Sequence, residues 1–296
     1  MVAGATGYIG GRLALEFAAA GRPPRCLARR PEAAAHLERA GCELVRGDAL
    51  DRPSLTWALA GVRTAYYLIH SMGRGGPGDF ADADRTAAAN FADAAADAGV
   101  ERIIYLGGLG EGASPHLRSR HETAELLSST GVGLTYFRAA VVLGGGSESF
   151  QTIYHLVRRL PVMVTPRWTT TRTQPIAIDD VVGYLASAAD LGPEADRVIE
   201  IGGPDLTTYG GMMDEMARAM GRRRPVRIRV PFLTPRLSSL WIGLVTPVDT
   251  GVARPLVEGL STETVVADPS GMELFAIEPI GMRDAMTRAV GELEAG

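Results

Sequence analysis

Seven residues near the start of the chain have the spacing to hold a diphosphate. Gly4-Ala5-Thr6-Gly7-Tyr8-Ile9-Gly10 places glycines three residues apart. They let the backbone turn tightly and approach a pyrophosphate, which then meets the amides and the positive dipole end of the following helix. The spacing is GxxGxxG rather than the GxGxxG of many dehydrogenases, and its place at the head of a strand–helix series gives it weight. Thr6, Tyr8 and Ile9 join the glycines as candidate ligand contacts. A dinucleotide so held puts its adenosine ribose at the end of the second strand. An acidic residue there binds a free 2′-hydroxyl, whereas arginine accommodates a 2′-phosphate. That strand ends Leu27-Ala28-Arg29-Arg30, with no acid until Glu32. Two guanidiniums suit a phosphate bidentately, so the expected cofactor is NADP(H) in preference to NAD(H). The alternative for Arg29 and Arg30 is a solvated pair opening a helix.

To bring these residues together the chain must form a parallel sheet. Short β-rich runs alternate with alanine-rich ones. The expected strands are 25–28, 43–46, 64–70, 102–106, 134–138 and 197–201; the expected helices are 12–20, 33–40, 54–60, 80–98, 118–129 and 181–189. Gly21, Gly41, Gly61, Gly99 and Gly131 mark helix ends, where a left-handed cap turns the chain back into the sheet. Only Met1-Val2-Ala3 precede Gly4, so the first strand is clipped to its last residues or the true start lies upstream. After Arg138 the alternation breaks. Gly144-Gly145-Gly146 leads to a helix at 149–160; 161–175 reads as loop or short strand; helices at 209–220 and 282–292 flank a strand at 226–230. The fold class is therefore α/β, a Rossmann-type doubly wound parallel sheet with a smaller C-terminal substrate-side region. The expected division is 1–203 for nucleotide binding, with 146–175 contributing to the substrate side, and 204–296 for the smaller region.

Several motifs, in order, resemble the NmrA-like and atypical or extended branches of the short-chain dehydrogenase/reductase superfamily. They are Gly4–Gly10, Gly47-Asp48, Tyr67-Leu68-Ile69-His70-Ser71-Met72, Arg102-Ile103-Ile104-Tyr105-Leu106, Arg138-Ala139, Pro175–Val181 and Gly202-Gly203-Pro204-Asp205. The resemblance implies that Asp48 binds the adenine edge, that Leu68, Ile69 and His70 pass beside the nicotinamide ribose, and that Arg138 belongs to the cofactor site. Oxidoreductases of this superfamily usually end the fifth strand in serine or threonine and carry Tyr-x-x-x-Lys on the next helix, where lysine lowers the tyrosine pKa. Here the strand ends Gly107-Gly108, and every basic residue other than histidine is arginine. By register, His116 takes the tyrosine place and Arg120 the lysine place. An imidazole beside a fixed cation titrates near neutral pH, whereas arginine holds ribose hydroxyls without acting as a base. Ser114 could supply a hydroxyl, and His70 is the alternative acid. The bland alternative is that His116 only starts a helix after Ser114-Pro115.

The expected function is an NADP(H)-dependent oxidoreductase of the atypical type, acting on a small carbonyl, imine or alkene. The alternative is a non-catalytic NADP(H)-binding redox sensor or accessory subunit, as NmrA-like proteins are. Composition narrows the partners: with a formal net charge of −4 and a pI near 5.8, nothing draws the whole chain to nucleic acid or an anionic membrane. No apolar run reaches spanning length and no histidines pair at metal-ligand spacing. The apolar stretch 232–248 could meet a membrane surface or protein partner, although such a stretch more often forms core. Cys26 and Cys42 read as buried thiols of a reducing compartment, and the expected location is cytoplasmic.

Overall fold

The computed structural model describes residues 1–70, 79–110, 114–230 and 260–295. Ser71, Met72 and the stretch 232–248 lie outside them, as does the side chain of His116. Seven strands form one all-parallel sheet: β1 (Val2–Ala3), β2 (Arg25–Ala28), β3 (Glu43–Arg46), β4 (Thr64–Tyr67), β5 (Arg102–Gly108), β6 (Gly133–Ala139) and, later in the chain, β11 (Val198–Ile201). Their spatial order is β11-β6-β5-β4-β1-β2-β3. The order reverses between β1 and β4, which is the switch point where such sheets bind ligands beyond their carboxyl ends. β1 is two residues long and paired on both sides, Val2 with Cys26 and Tyr66, Ala3 with Leu27 and Tyr67.

Helices α1 (Tyr8–Ala19), α2 (Ala35–Arg39), α3 (Arg52–Leu59), α4 (Asp79–Asp97), α5 (Pro115–Ser128) and α7 (Ile178–Ala188) cover the sheet. The pleat of β5 sends Ile104 to the core beneath α1 and α7, and Ile103 and Tyr105 to the core beneath α3, α4 and α5, as period-two alternation requires. The buried face of α4 is Ala87, Ala88, Phe91, Ala92, Ala94 and Ala95; methyl-sized side chains let the helix lie close to the sheet. A third core packs α6 (Glu148–Arg159) against α8 (Tyr209–Ala219) and the C-terminal α9 (Met282–Ala295), through Phe150, Ile153, Met212, Met216, Met286 and Val290. Short pairs complete this side: β7 (Val142–Leu143) with β10 (Ile176–Ala177), β8 (Val162–Thr165) with β13 (Val226–Arg229), and β9 (Arg172–Thr173) with β12 (Thr207–Thr208).

The five helix-end glycines all take positive φ, between 70° and 92°. Helix starts differ from the sequence expectation. α1, α5 and α7 each begin three or four residues early, because capped first turns carry glycine, proline or aspartate rather than the apolar period that marks a helix body. The stretch 161–175 contains β8 and β9 within its turns. Cys26 and Cys42 are free and buried, and burial pushes the Cys26 thiol up to about 12, an unreactive state. Among the described residues no helix is long and apolar enough to cross a membrane.

At the opposite edge of the sheet from the carboxyl ends, Arg102 donates to Asp196 at 2.5 Å and to the carbonyls of Leu191 and Gly192 at 2.5 and 2.6 Å. Its side chain is only 10% exposed, and a buried guanidinium stripped of its carboxylate is costly. Asp196→Ala is expected to lower unfolding stability by about 3 kcal/mol in a urea titration, while ligand affinity at the distant cleft changes little.

Candidate functional site

The loop between β1 and α1 is built by backbone-to-backbone contact. Gly4 has φ 94°, and a Cβ there would stand 2.5 Å from the carbonyl oxygen of Leu68. A Cβ at Gly10 would stand 2.3 Å from the carbonyl oxygen of Gly4. These outer glycines are packing requirements. Gly7 has more room, with its nearest neighbour at 3.3 Å, and it serves as the helix N-cap with no side chain over the turn. The amide of Gly11 is bonded back to Gly7 at 2.8 Å. Those of Tyr8, Ile9 and Gly10 precede it in the first turn, where helical partners are lacking. No acid stands in that turn, so its field favours an anion.

From this loop a cleft of about 900 Å³ runs along the carboxyl ends of the strands. Gly4, Thr6, Gly7, Tyr8, Ile9 and Gly10 line its middle; Arg29 and Asp48 line one end; Leu68, Ile69 and His70 line the β4 side. Asp48 is held by its neighbours, its amide donating to Ser54 Oγ and its carboxylate accepting from Leu50 N–H, both at 3.0 Å. Glu32 is drawn away into an ion pair with Arg46 at 2.9 Å, so the β2 end presents cations. Arg30 is exposed and is not part of the lining. Side-chain-free turns, unbonded amides and a polar residue at each adenosine-side strand end fit a bound dinucleotide.

The β5–β6 end is lined by Gly107, Gly108, Leu117, Arg120, Ala139, Val141 and Glu148. A Cβ at Gly107 would sit 2.8 Å from the hydroxyl of Tyr136, and one at Gly108 would sit 2.6 Å from Leu117 Cδ2. The place of the superfamily's hydroxyl is thus filled from the neighbouring strand. Tyr136 bonds His121 Nδ1 at 3.2 Å, stacks on Tyr105 at 5.1 Å, and has its acidity suppressed by burial. Ser114 is the N-cap of α5, accepting from Leu117 N–H at 3.2 Å, so its hydroxyl serves the helix. Burial alone would lower the Arg120 pKa, but Tyr105 and the charge of Asp84 raise it above the usual arginine value. Arg138 lies outside the lining: it donates to the Gly110 carbonyl at 2.8 Å and pairs with Glu200 at 3.4 Å. It therefore braces the turn after β5. His116 sits in the first turn of α5, and His70 stands exposed at the cleft.

Several contacts of this site carry no sequence signal. The Tyr8 side chain lies against Gly144 and Gly146, where added Cβ atoms would come within 2.4 Å of its hydroxyl and 2.2 Å of its ring. Its hydroxyl donates to Glu292 of α9 at 2.9 Å. Glu292 also accepts from Arg12 at 2.6 Å and from the amide of Gly145 at 3.1 Å. The last helix is thereby fastened to the first. Burial and this hydrogen bond push the Tyr8 phenol up to about 12. Tyr209 and Thr264 close the far wall, the phenol held by the hydroxyls of Thr264 and Thr173. Trp168 packs edge-on behind Tyr209 at 5.9 Å, outside the cleft.

Comparison with known proteins agrees with this geometry. Residues 4–141 match the family model described as NAD(P)H-binding. The chain is 27% identical over 243 residues to Photosystem II assembly factor Ycf39 of Cyanophora paradoxa, covering 79% of this chain and 72% of that one. Its fold is that of triphenylmethane reductase from Citrobacter sp., solved with NADP(H): TM-score 0.75, 18% identity, 97% and 98% of the two chains covered. It is also that of the quinone oxidoreductase QOR2 of Escherichia coli, solved with NADPH: TM-score 0.72, 20% identity, 97% and 98% covered. The architecture is thus a Rossmann-like α/β fold, a seven-stranded parallel sheet flanked by helices, shared with these structures.

Burial works to raise the pKa of Glu292, but the bonds from Arg12, Tyr8 and Gly145 outweigh it, and the net shift is downward. Its stabilisation is therefore full above the unfolded carboxylate pKa near ~4.3 and is lost as pH falls through the lower folded value. Glu292→Gln is expected to lower stability at pH 7 by about 1 kcal/mol, allowing for solvent screening. Thermal melts of the variant should also fall less steeply than wild type below roughly pH 4.

Proposed function

We propose that this chain is an NADP(H)-dependent oxidoreductase acting on a small carbonyl, imine or activated alkene. The observation that carries the reading is the single cleft that joins the first turn of α1 to Arg29 at one end and Arg120 at the other. The amides of residues 8–10 hold the pyrophosphate. Arg29, assisted by the exposed Arg30, meets a 2′-phosphate, and Glu32, the acid nearest the end of β2, is paired with Arg46. Asp48 takes the adenine edge, and Leu68, Ile69 and His70 flank the nicotinamide ribose, whose hydroxyls Arg120 orients. When bound, a dihydronicotinamide supplies a hydride to an electrophilic carbon. His116 or His70 carries the proton that a carbonyl substrate requires, since imidazole titrates near neutrality.

A second reading has specific support: a non-catalytic NADP(H)-binding accessory protein or redox sensor. Gly107 and Gly108 bear no hydroxyl, the chain has no lysine, and one relative is named as an assembly factor. Hydride transfer separates the two readings. NADPH oxidation with menadione as acceptor is expected of the enzyme and absent from the accessory protein.

Cofactor choice is tested by calorimetric titration. NADPH is expected to bind at least tenfold more tightly than NADH. Arg29→Ala should remove most of that difference, about 1–2 kcal/mol for a charge-assisted phosphate bond. Equal affinities in the wild type would overturn the assignment of Arg29.

A further inference from the structure

The strand pair β8–β13 carries its aliphatic side chains on the face that meets water. Parallel strands are as a rule covered on both faces; this parallel pair is covered on one. In β13 the charged Arg227 turns inward, to the Gly210 carbonyl and to Asp214 at 2.8 Å, whereas Val226 and Ile228 turn to solvent. In β8, Met163 and Thr165 are buried while Val162 and Val164 are exposed. The register sets Val162 beside Val226 and Val164 beside Ile228. The four form one continuous ladder, each 42–61% exposed. Single exposed aliphatics are ordinary, but a contiguous set marks a surface that meets something.

The same parallel pairing brings two arginine runs to one end of the ladder. Arg158 and Arg159 lie just before β8, and Arg222, Arg223 and Arg224 just before β13; all five are exposed. Arg222 donates to the Arg158 carbonyl, and the Val226 amide to the Pro161 carbonyl at 2.9 Å, which holds the runs side by side. The carboxylates of α8 are engaged elsewhere, Asp214 by Arg227 and Glu215 by Arg218 and Arg283. The net charge of −4 does not cancel this cluster, because exposed charges more than about 10 Å away are screened at physiological salt. Branched aliphatics beside clustered cations suit a bilayer interface with anionic headgroups. An isologous dimer would instead set the five cations against their own copies.

We propose that the β8–β13 face and its arginine end dock the protein onto an anionic lipid bilayer. Val162, Val164, Val226 and Ile228 enter the acyl boundary, and the arginines meet lipid phosphates. None of these residues lines the cofactor cleft. α8 begins at the cleft wall with Tyr209 and ends beside the arginine turn, and its eleven residues separate the two by about 16 Å. Docking and cofactor binding are therefore separate events, and the surface stands apart from the oxidoreductase reading.

Sedimentation of the full chain with lipid vesicles tests this. Vesicles of phosphatidylcholine and phosphatidylglycerol in equal parts are expected to bind at least tenfold more tightly than phosphatidylcholine alone. Replacing Arg222, Arg223 and Arg224 together by alanine should cost most of that preference and of its salt dependence. Val164→Thr/Ile228→Thr keeps the branched strand shape; it should weaken binding at least fivefold and leave the salt dependence in place. Thermal melts without lipid and NADPH affinity should match wild type in both variants. No preference for anionic vesicles would overturn the proposal. So would binding that neither variant weakens, which would put the contact on another surface. A clearly lower melting temperature for Val164→Thr/Ile228→Thr without lipid would mean that the chain covers its own ladder, and would overturn it too. A concentration-dependent dimer by light scattering, lost in that variant, would assign the face to a second copy instead.

Discussion

The contact on which the site depends is between two stretches of backbone. Gly4 turns out of β1 with its α-carbon pressed toward the Leu68 carbonyl, and Gly10 brings the first turn of α1 down onto the Gly4 carbonyl. Neither approach tolerates a side chain. Because β1 is held by two residues on each side, the loop's position follows from these contacts more than from a long strand. The result is a helix N-terminus aimed along the switch point of the sheet, and every other feature of the cleft is arranged around it.

The second constraint reaches across the whole sequence. Tyr8, Arg12, Gly145 and Glu292 form one hydrogen-bonded group, although 284 residues separate Tyr8 from Glu292. This joins the nucleotide loop, the turn after β7 and the last helix. Since α9 also packs through Met286 and Val290 onto α6 and α8, the wall that carries Glu148 and the loop that carries the amides share a common anchor.

Much of the sheet was legible because each strand is a short β-rich run closed by a glycine-ended helix, a pattern that local sequence contains in full. The glycine loop was legible for the same reason. Side-chain direction was not. Arg29 and Arg30 are adjacent and alike, yet one lines the cleft and the other does not. Arg138 is the right type in a matching motif, but its guanidinium turns to Gly110 and Glu200. The far wall, with Glu148, Tyr209 and Thr264, is assembled from segments scattered over more than a hundred residues. Only tertiary packing makes them neighbours. Tyr154 and Arg158 have the spacing of a catalytic pair, yet Tyr154 is buried in the third core and bonds Glu294 at 3.2 Å.

The filling of the Gly107 space by Tyr136 also bears on how this branch of the fold can change. A serine at position 107 would meet a phenol ring already stacked on Tyr105 and bonded to His121. Tyr136 would first have to give way, leaving a cavity in the core and His121 without its bond at Nδ1. Each single step on that route passes through a less stable protein. The chain is therefore separated from the serine–tyrosine chemistry of the short-chain dehydrogenases it resembles by an epistatic barrier, and new activity is more readily gained by altering the opposite wall of the cleft.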